Sequence, residues 1–351
     1  MNRSEIVQWL REPAENRLET LWERADAVRS EHVGDEVHLR GLVELSNHCR
    51  RSCHYCGLRA DNAELTRYRM SRDEVLEAAG TAVELGYGTI VMQAGEDPGI
   101  TEEGMAELIR QIKAETPLAV TLSLGERTDR ELKAWRAAGA DRYLLRFETS
   151  NPTLYRRIHP AYGGHPEDRI DLLHRLRELG YEVGSGVMIG IPGQTYESLA
   201  RDIELFAQLD LDMIGCGPFI AHPKTPLGET HADRAEQVPA DQQMTFKVLA
   251  LARIVCPDTN IPATTALATL NRDSGRELGL QRGANVVMPN LTPTAYRQMY
   301  EIYPGKACVN EGIEQCHPCI LRRIDQIGRR PGRGRGDSVR YRRHTAAGET
   351  V

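Results

Sequence analysis

Apolar residues follow two alternating patterns along most of the chain. Short runs rich in Val, Ile and Leu are typical of buried strands, and longer stretches whose apolar positions return every three or four residues are typical of amphipathic helices. Helices are predicted after a capping box of Ser71 and Glu74 and at 101–113, 128–138, 166–179, 195–209 and 240–255. Strands are predicted at about 37–46, 89–94, 119–124, 142–148, 181–191, 212–220, 260–267 and 285–289.

This series of strands and helices predicts an α/β fold with a parallel sheet closed on itself, a complete (β/α)8 TIM-type barrel. An open doubly wound sheet shares the alternation, but eight repeats in one unbroken series favour the barrel. Helical spacing of apolar residues in 4–30 predicts a helical lead-in before the first strand. We therefore divide the chain into a lead-in at 1–36, a barrel at 37–306 and a C-terminal segment at 307–351.

Composition is that of an ordinary globular protein, since 40% of the 351 residues are hydrophobic and 27% are charged. No apolar run reaches the length of a membrane span, and the first ten residues lack the apolar core of a signal peptide, so we expect a cytoplasmic protein with no membrane partner. The net charge of −6 hides a basic tail with nine Arg from Leu321 onward. Gly and Pro in 330–336 predict that this tail is solvated and loosely ordered, and no motif indicates nucleic-acid binding.

Three cysteines, Cys49, Cys53 and Cys56, follow the first predicted strand with three and then two residues between them. Thiolates are the usual ligands of iron–sulfur clusters, and a full set is four, so a loop with three leaves one iron open to another ligand. A structural zinc site would need a fourth ligand, and disulfides are rare in a cytosolic protein. The spacing therefore favours a cluster with an open iron over zinc or inert thiols.

Other polar residues stand at the predicted carboxyl ends of later strands, where a barrel has its active site. The run 95–97, Gly-Glu-Asp, offers carboxylate and carbonyl acceptors for an ammonium group, although a solvated turn would have the same composition. Arg146 and Glu148 alternate along the fourth strand, so both point to one face. Inside a barrel such charges must be paired or bound to a ligand, and the sequence leaves both readings open. Glycines in 184–193 predict the close approach of another group to the fifth strand, such as an adenine ring.

The cysteine triplet, with an aromatic residue before its last member, resembles the cluster loop of the radical S-adenosylmethionine (SAM) superfamily. From about 37 to 333 the sequence resembles the HydE family of [FeFe]-hydrogenase maturases. The resemblance rests on collinear motifs at 49–59, 67–69, 95–97, 122–127, 140–146, 217–223, 225–227, 261–265, 288–290 and 303–306.

This resemblance implies an enzyme with a [4Fe-4S] cluster and bound SAM, whose reductive cleavage gives a 5'-deoxyadenosyl radical. The radical would act on a cysteine-bound Fe(CO)2(CN) precursor of the diiron H-cluster. Implied partners are a HydG-like maturase that supplies this organometallic substrate, a HydF-like scaffold, and an electron donor such as ferredoxin or flavodoxin.

Residue roles also come from the resemblance. The triplet cysteines would hold the cluster, and Thr264, Thr265 and Tyr300 would line the substrate cavity. The residues that would hold SAM are Tyr55, Gly95, Glu96, Asp97, Arg146, Glu148, Arg169 and Met188. Phe147 departs from the His that the family carries there, but alternation turns this position away from its two charged neighbours.

A second set of cysteines, Cys308, Cys316 and Cys319, matches the accessory cluster site of the same family and would hold an iron–sulfur cluster or zinc. Cys216 and Cys256 are predicted to be small buried hydrophobes. Two other functions stay open. One is another biotin synthase-like radical SAM enzyme, such as a methylornithine synthase-type mutase, and the other is a non-enzymatic metal-binding protein without SAM cleavage.

Overall fold

A computed structural model of the protein describes residues 1–162, 168–228 and 236–346. The strands in these residues are β1 (Glu36–Ser46), β2 (Thr89–Ala94), β3 (Ala119–Ser123), β4 (Arg142–Leu144), β5 (Glu182–Ser185), β6 (Met188–Ile189), β7 (Met213–Ile214), β8 (Gly217–Pro218), β9 (Val286–Val287) and β10 (Arg330–Pro331). The helices are α1 (Arg3–Arg11), α2 (Glu15–Val33), α3 (Arg72–Glu84), α4 (Glu102–Glu115), α5 (Asp129–Ala137), α6 (Pro152–Ile158), α7 (Arg169–Glu178), α8 (Tyr196–Gln208), α9 (Gln242–Val255), α10 (Thr265–Leu270), α11 (Gly275–Leu280), α12 (Thr294–Arg297), α13 (Ile313–Gln326) and α14 (Val339–Ala346).

The principal sheet is parallel and curled. Strands β1 to β5 and β7 pair each with the next, and β9 pairs with the other edge of β1. Isolated parallel bridges join Met213 to Asn260 and Pro262 to Val286. Through these bridges the pairings return to β1, as a barrel requires, and the predicted TIM-like α/β fold is confirmed.

The later strands are shorter than predicted. The predicted strand at 181–191 is divided into β5 and β6, and the one at 212–220 into β7 and β8. Gly186 marks the first break, because a Cβ there would lie 2.0 Å from the carbonyl oxygen of Gly215. The strand predicted at 260–267 is present only as isolated parallel bridges at Asn260 and Pro262, and α10 begins at Thr265. Pro262 has no N–H for a ladder, and the Thr264 hydroxyl caps α10 instead.

Helix caps follow the sequence closely. The capping box of Ser71 and Glu74 is present, and the hydroxyls of Thr101, Thr128 and Thr195 cap α4, α5 and α8. The helix predicted at 166–179 is α7, which begins after Asp168; its predicted first residues lie outside the described ranges.

The helical lead-in belongs to the same core as the sheet. Ile6, Leu10, Leu18 and Leu21 are at most 2% exposed and join the large apolar cluster that also contains the strands and Ile320 of α13. The division into three segments therefore stays a prediction. No helix in the described residues is long and apolar enough to cross a membrane.

The prediction of a solvated tail was wrong for the part that packs against the amino ends of the strands. Strand β10 pairs with β1, and Thr89 donates a hydrogen bond to the carbonyl oxygen of Arg335. Arg335 also pairs with Asp141, while Asp337 pairs with Arg142. The tail is ordered here because its charges match charges at the strand ends, which a reading of its composition alone does not reveal.

Candidate active site at the carboxyl ends of the strands

A cavity of about 350 Å³ opens at the carboxyl ends of the strands. Its lining includes all three cysteines of the triplet and most of the other residues that sequence analysis singled out. These are Tyr55, Gly95, Glu96, Arg146, Glu148, Arg169, Met188, Thr264, Thr265 and Tyr300. The predicted convergence of distant polar residues on one rim is thus present in the structure.

Backbone hydrogen bonds from several elements hold the cysteine loop. The His54 N–H donates to the Ile158 carbonyl at 2.9 Å, and the Arg50 N–H donates to the Glu96 carbonyl at 3.0 Å. Gly95 is required next to this loop, because a Cβ on it would lie 2.7 Å from the Cβ of Cys49. The glycine of the 95–97 motif therefore lets β2 and the cysteine loop touch.

The thiols of the triplet lie in a low-dielectric site. Burial raises the pKa of Cys53 to about 12, although the nearby Arg169 acts in the opposite direction, and burial also raises the pKa of Cys49 and Cys56. Metal binding must therefore displace thiol protons. In the described residues no three His, Cys, Asp or Glu side chains surround one ion position. A cubane bonds each thiolate to a different iron, so three separated thiols facing one cavity fit a cluster.

A buried charge network lies beside Cys53. Arg169 Nε donates to Glu126 Oε1 at 2.8 Å, and Arg51 Nη1 donates to Glu126 Oε2 at 3.4 Å. Glu96 lies 3.9 Å from both guanidinium groups. Two cations and two carboxylates therefore balance each other next to the cysteine loop, and Arg169 is held against the cavity wall.

Arg146 and Glu148 share one face, as predicted. The Arg146 guanidinium binds the Glu148 carboxylate, with Nη2 2.6 Å from Oε2, and the Tyr55 hydroxyl lies 3.4 Å from Oε1 and 2.9 Å from Nε2 of His159. Glu148 has a φ of +63°, a left-handed conformation that costs a non-glycine residue energy. Such local strain is typical of functional sites, and here it directs a carboxylate into the cavity.

Asp97 does not belong to the cavity lining. Its carboxylate accepts hydrogen bonds from Ser46 Oγ at 2.6 Å, from Arg69 Nε at 2.6 Å and from the Gly99 N–H at 2.7 Å. Burial alone would raise its pKa, but these donors lower the pKa below its ordinary value. Asp97 therefore fixes the turn that carries Glu96, and its contact with SAM stays a prediction.

Asp202 supports the loop that follows Glu148, since Ser150 donates to Asp202 Oδ1 through both its N–H and its hydroxyl at 2.6 Å. Burial raises the pKa of Asp202 from 3.8 to about 7, against the effect of these donors. As pH rises the unfolded chain therefore loses this proton first, and the stability that the protonated Asp202 contributes is lost between about pH 4 and 7.

Asp202→Asn should remove this pH-dependent contribution to the free energy of unfolding, because the amide does not titrate. The amide oxygen still accepts hydrogen bonds from Ser150. Urea unfolding at pH 5 and pH 7.5 should show that the wild type loses about 2–3 kcal/mol more stability over this interval than the variant. Parallel pH profiles for the two proteins would contradict the prediction.

The predicted substrate residues lie on the cavity wall, and none of the three is part of a strand. Thr264 and Thr265 form the start of α10, where the Thr264 hydroxyl accepts a hydrogen bond from the Leu267 N–H at 3.4 Å. Tyr300 is 1% exposed and follows α12. The structure brings all three to the same cavity as the cysteine triplet.

Only two of the three accessory cysteines belong to the cavity lining. Cys308 and Cys316 line the cavity, whereas Cys319 does not. His317 is engaged elsewhere, because its Nδ1 lies 2.9 Å from the Tyr87 hydroxyl. Cys308 has a φ of +61°, and its Sγ lies 3.5 Å from a guanidinium nitrogen of Arg276.

The other predicted features have protein partners. The glycines of 184–193 were expected to leave room for an adenine ring, but a Cβ on Gly190 would lie 2.5 Å from the Cα of Ala240, so this glycine accommodates protein backbone. Phe147 is 1% exposed and packs on Phe206, away from the cavity, as alternation predicts. Cys216 and Cys256 are buried as predicted.

Sequence analysis missed several charged residues of the cavity wall, chiefly Arg51, Glu44 and Lys306. Glu44 carries a readable signal, because it alternates with Arg40 and Leu42 on one face of β1, and a charged group inside a barrel needs a partner or a ligand. Lys306 stands in a loop, and no local pattern indicates its partner.

Comparison with known proteins agrees with this geometry. The sequence profile of the Radical SAM superfamily matches residues 43–206, which span the cysteine triplet and the loops after β2 and β4 that carry Glu96, Arg146 and Glu148. A solved methylornithine synthase (PylB) has the same fold, with a TM-score of 0.79 at 24% identity over 95% of this chain and 94% of its own. The matched family, carried on a TIM-like α/β fold, defines the class of this protein as a radical SAM enzyme.

Sequence comparison identifies the family within this class. The chain is 48% identical over 322 residues, 92% of its length, to the [FeFe] hydrogenase maturase subunit HydE of Thermotoga maritima, of which 89% is covered. It is 27% identical over 90% of its length to 3-methylornithine synthase of Methanosarcina barkeri, with 86% of that protein covered. The chain therefore belongs to the HydE family of radical SAM enzymes.

Proposed function

We propose that this protein acts in [FeFe]-hydrogenase maturation, where it uses SAM to generate a radical at a cysteine-bound iron complex with CO and cyanide ligands. The observation that carries the proposal is the single cavity that contains the cysteine triplet at one side and a wall of polar side chains, Thr264, Thr265 and Tyr300, at another. This one cavity therefore offers separate walls for SAM and for a second molecule. The family membership supports the same function.

The triplet Cys49, Cys53 and Cys56 fits a [4Fe-4S] cluster, since three thiols face one cavity and leave one iron for SAM. When bound, the cluster supplies the electron that cleaves SAM. Arg51 and Arg169 beside Cys53 favour the negative charge of thiolate ligands.

The remaining lining residues offer groups of both charges for SAM. Arg146 and Arg169 provide cations for a carboxylate, and Glu148 and Glu96 provide acceptors for ammonium or hydroxyl groups. The Arg146–Glu148 pair is held on strained backbone, so both groups are oriented before a ligand arrives. Tyr55 and Met188 contribute apolar surface to the same wall.

Anaerobic reconstitution tests this assignment directly. A dithionite-reduced sample should give the EPR signal of a reduced cluster, and addition of SAM should change that signal because SAM occupies the open iron. An EPR signal that SAM leaves unchanged would contradict the proposed function. A variant with Cys256, a buried cysteine outside the cavity, changed to Ala should behave as the wild type does.

The partners follow from the proposed chemistry. A HydG-like maturase would supply the organometallic substrate, a HydF-like scaffold would receive the product, and a ferredoxin or flavodoxin would donate electrons. Cys308, Cys316 and Cys319 would hold a second metal centre, since Cys308 and Cys316 line the cavity and Cys319 follows Cys316 by about one turn of α13.

A further inference from the structure

One buried ion pair lines the cavity without any part in the proposed SAM site. It joins Glu44 on β1 to Lys306 in the loop after α12, with Lys306 Nζ 2.7 Å from Glu44 Oε1. Glu44 is 3% exposed and Lys306 is 6% exposed. Both side chains belong to the same cavity wall as Thr264 and Tyr300.

The pair retains hydrogen-bonding capacity. Lys306 Nζ donates to Glu44 and to the Tyr300 carbonyl oxygen at 2.9 Å, so two of the three N–H groups of the ammonium are accounted for. Glu44 Oε2 accepts from Asn290 Nδ2 at 3.1 Å, and each carboxylate oxygen can accept a second hydrogen bond. One donor and several acceptor positions therefore remain for a ligand.

The surrounding wall makes this pair unusual. The cavity lining also contains apolar side chains, among them Leu42, Leu144, Met213 and Met288. A buried ion pair often contributes no more stability than apolar residues of similar size, because both charges lose hydration. Charges of opposite sign on the wall of a cavity are instead suited to a ligand that carries the complementary pair of groups.

We propose that Lys306 and Glu44 bind the carboxylate and the amino group of an amino-acid-bearing substrate. Lys306 donates to the carboxylate, and Glu44 accepts from the N–H groups of the amine, whether that amine is free or bound to a metal. The inference rests on the proposed function and deepens it, because it assigns a binding site for the cysteine portion of the iron complex. It makes this pair a determinant of substrate specificity.

Three thioethers test the assignment by isothermal titration of the reconstituted, SAM-bound protein under anaerobic conditions. S-methyl-L-cysteine carries both charges, 3-(methylthio)propionate lacks the amine, and 2-(methylthio)ethylamine lacks the carboxylate. None has a free thiol that could bind iron. The wild type should bind S-methyl-L-cysteine at least about tenfold more tightly than either analogue, since each lost charge-assisted hydrogen bond weakens binding by about 1.5 kcal/mol or more.

Single substitutions assign each charge. Lys306→Gln should abolish the preference for S-methyl-L-cysteine over the amine, and Glu44→Gln should abolish its preference over the carboxylate. Lys247→Gln is the matched control, because Lys247 is also a buried lysine that donates to backbone carbonyls but lies outside the cavity lining. It should leave all three affinities unchanged.

Equal wild-type affinities for the three compounds, or equal losses for all three in both variants, would overturn this inference. The EPR response of the wild type to SAM reports separately on the proposed function. A normal EPR response without charge-dependent binding rejects the Glu44–Lys306 site alone. Charge-dependent binding without an EPR response rejects the proposed function alone.

Discussion

Cys53→Ala is expected to abolish SAM cleavage, with at least about a hundredfold loss of 5'-deoxyadenosine formation in the presence of dithionite. The triplet supplies only three thiolates, so the loss of one leaves a cluster with two protein ligands. Cys53 is also the most enclosed of the three, at 9% exposure, and the charges of Arg169 and Arg51 act on its thiol. Iron and sulfide content and the visible absorption spectrum should fall together with activity.

Cys256→Ala removes a thiol of similar exposure, 8%, from outside the cavity and should retain both cluster and activity. This comparison separates the loss of a ligand from the general effect of removing a buried thiol. Retention of SAM cleavage by Cys53→Ala would mean that the cluster is held elsewhere, and the proposed function would lose its basis.

Local sequence patterns predicted those elements of the fold that are determined by residues close together in the sequence. Strand β2 was predicted with its observed ends, and the caps at Ser71, Thr101 and Thr128 start helices where expected, because alternation and capping depend on residues within one or two turns. The segment 260–267 misled the prediction, because an apolar run with two β-branched threonines fits a strand and a helix start equally well.

Non-local pairings limited the prediction of the site. Glu44 and Lys306 are separated by 262 residues, and neither has a sequence neighbour that indicates the other. The two acidic residues of the 95–97 motif have different surroundings, which composition cannot show. Glu96 lines the cavity, whereas the Asp97 carboxylate accepts hydrogen bonds from Ser46 and Arg69. The cysteine triplet was readable because its three members are close in sequence and their spacing reflects the cluster itself.

Arg142→Met is expected to lower the free energy of unfolding by about 3–5 kcal/mol, because it leaves the buried Glu182 carboxylate without its ion-pair partner. Arg142 is 3% exposed at the amino ends of the strands, where it pairs with Glu182 and with Asp337 of the tail. It also donates to the Arg335 carbonyl oxygen at 2.9 Å, which ties the tail to β4. Denaturant unfolding of the full chain should show the loss as a lower midpoint.

Arg110→Met provides the contrast, because Arg110 is 54% exposed and its pair with Glu103 lies on the surface, so its removal should change stability by no more than about 0.5 kcal/mol. Adding Glu182→Met to Arg142→Met should restore part of the lost stability, since an apolar pair avoids the cost of an uncompensated buried charge. Equal midpoints for Arg142→Met and Arg110→Met would show that the tail network contributes little. Partial recovery in the double variant would instead show that the unpaired Glu182 carboxylate causes the loss of unfolding free energy. The charges that bind the tail to the strands would then account for this part of the stability.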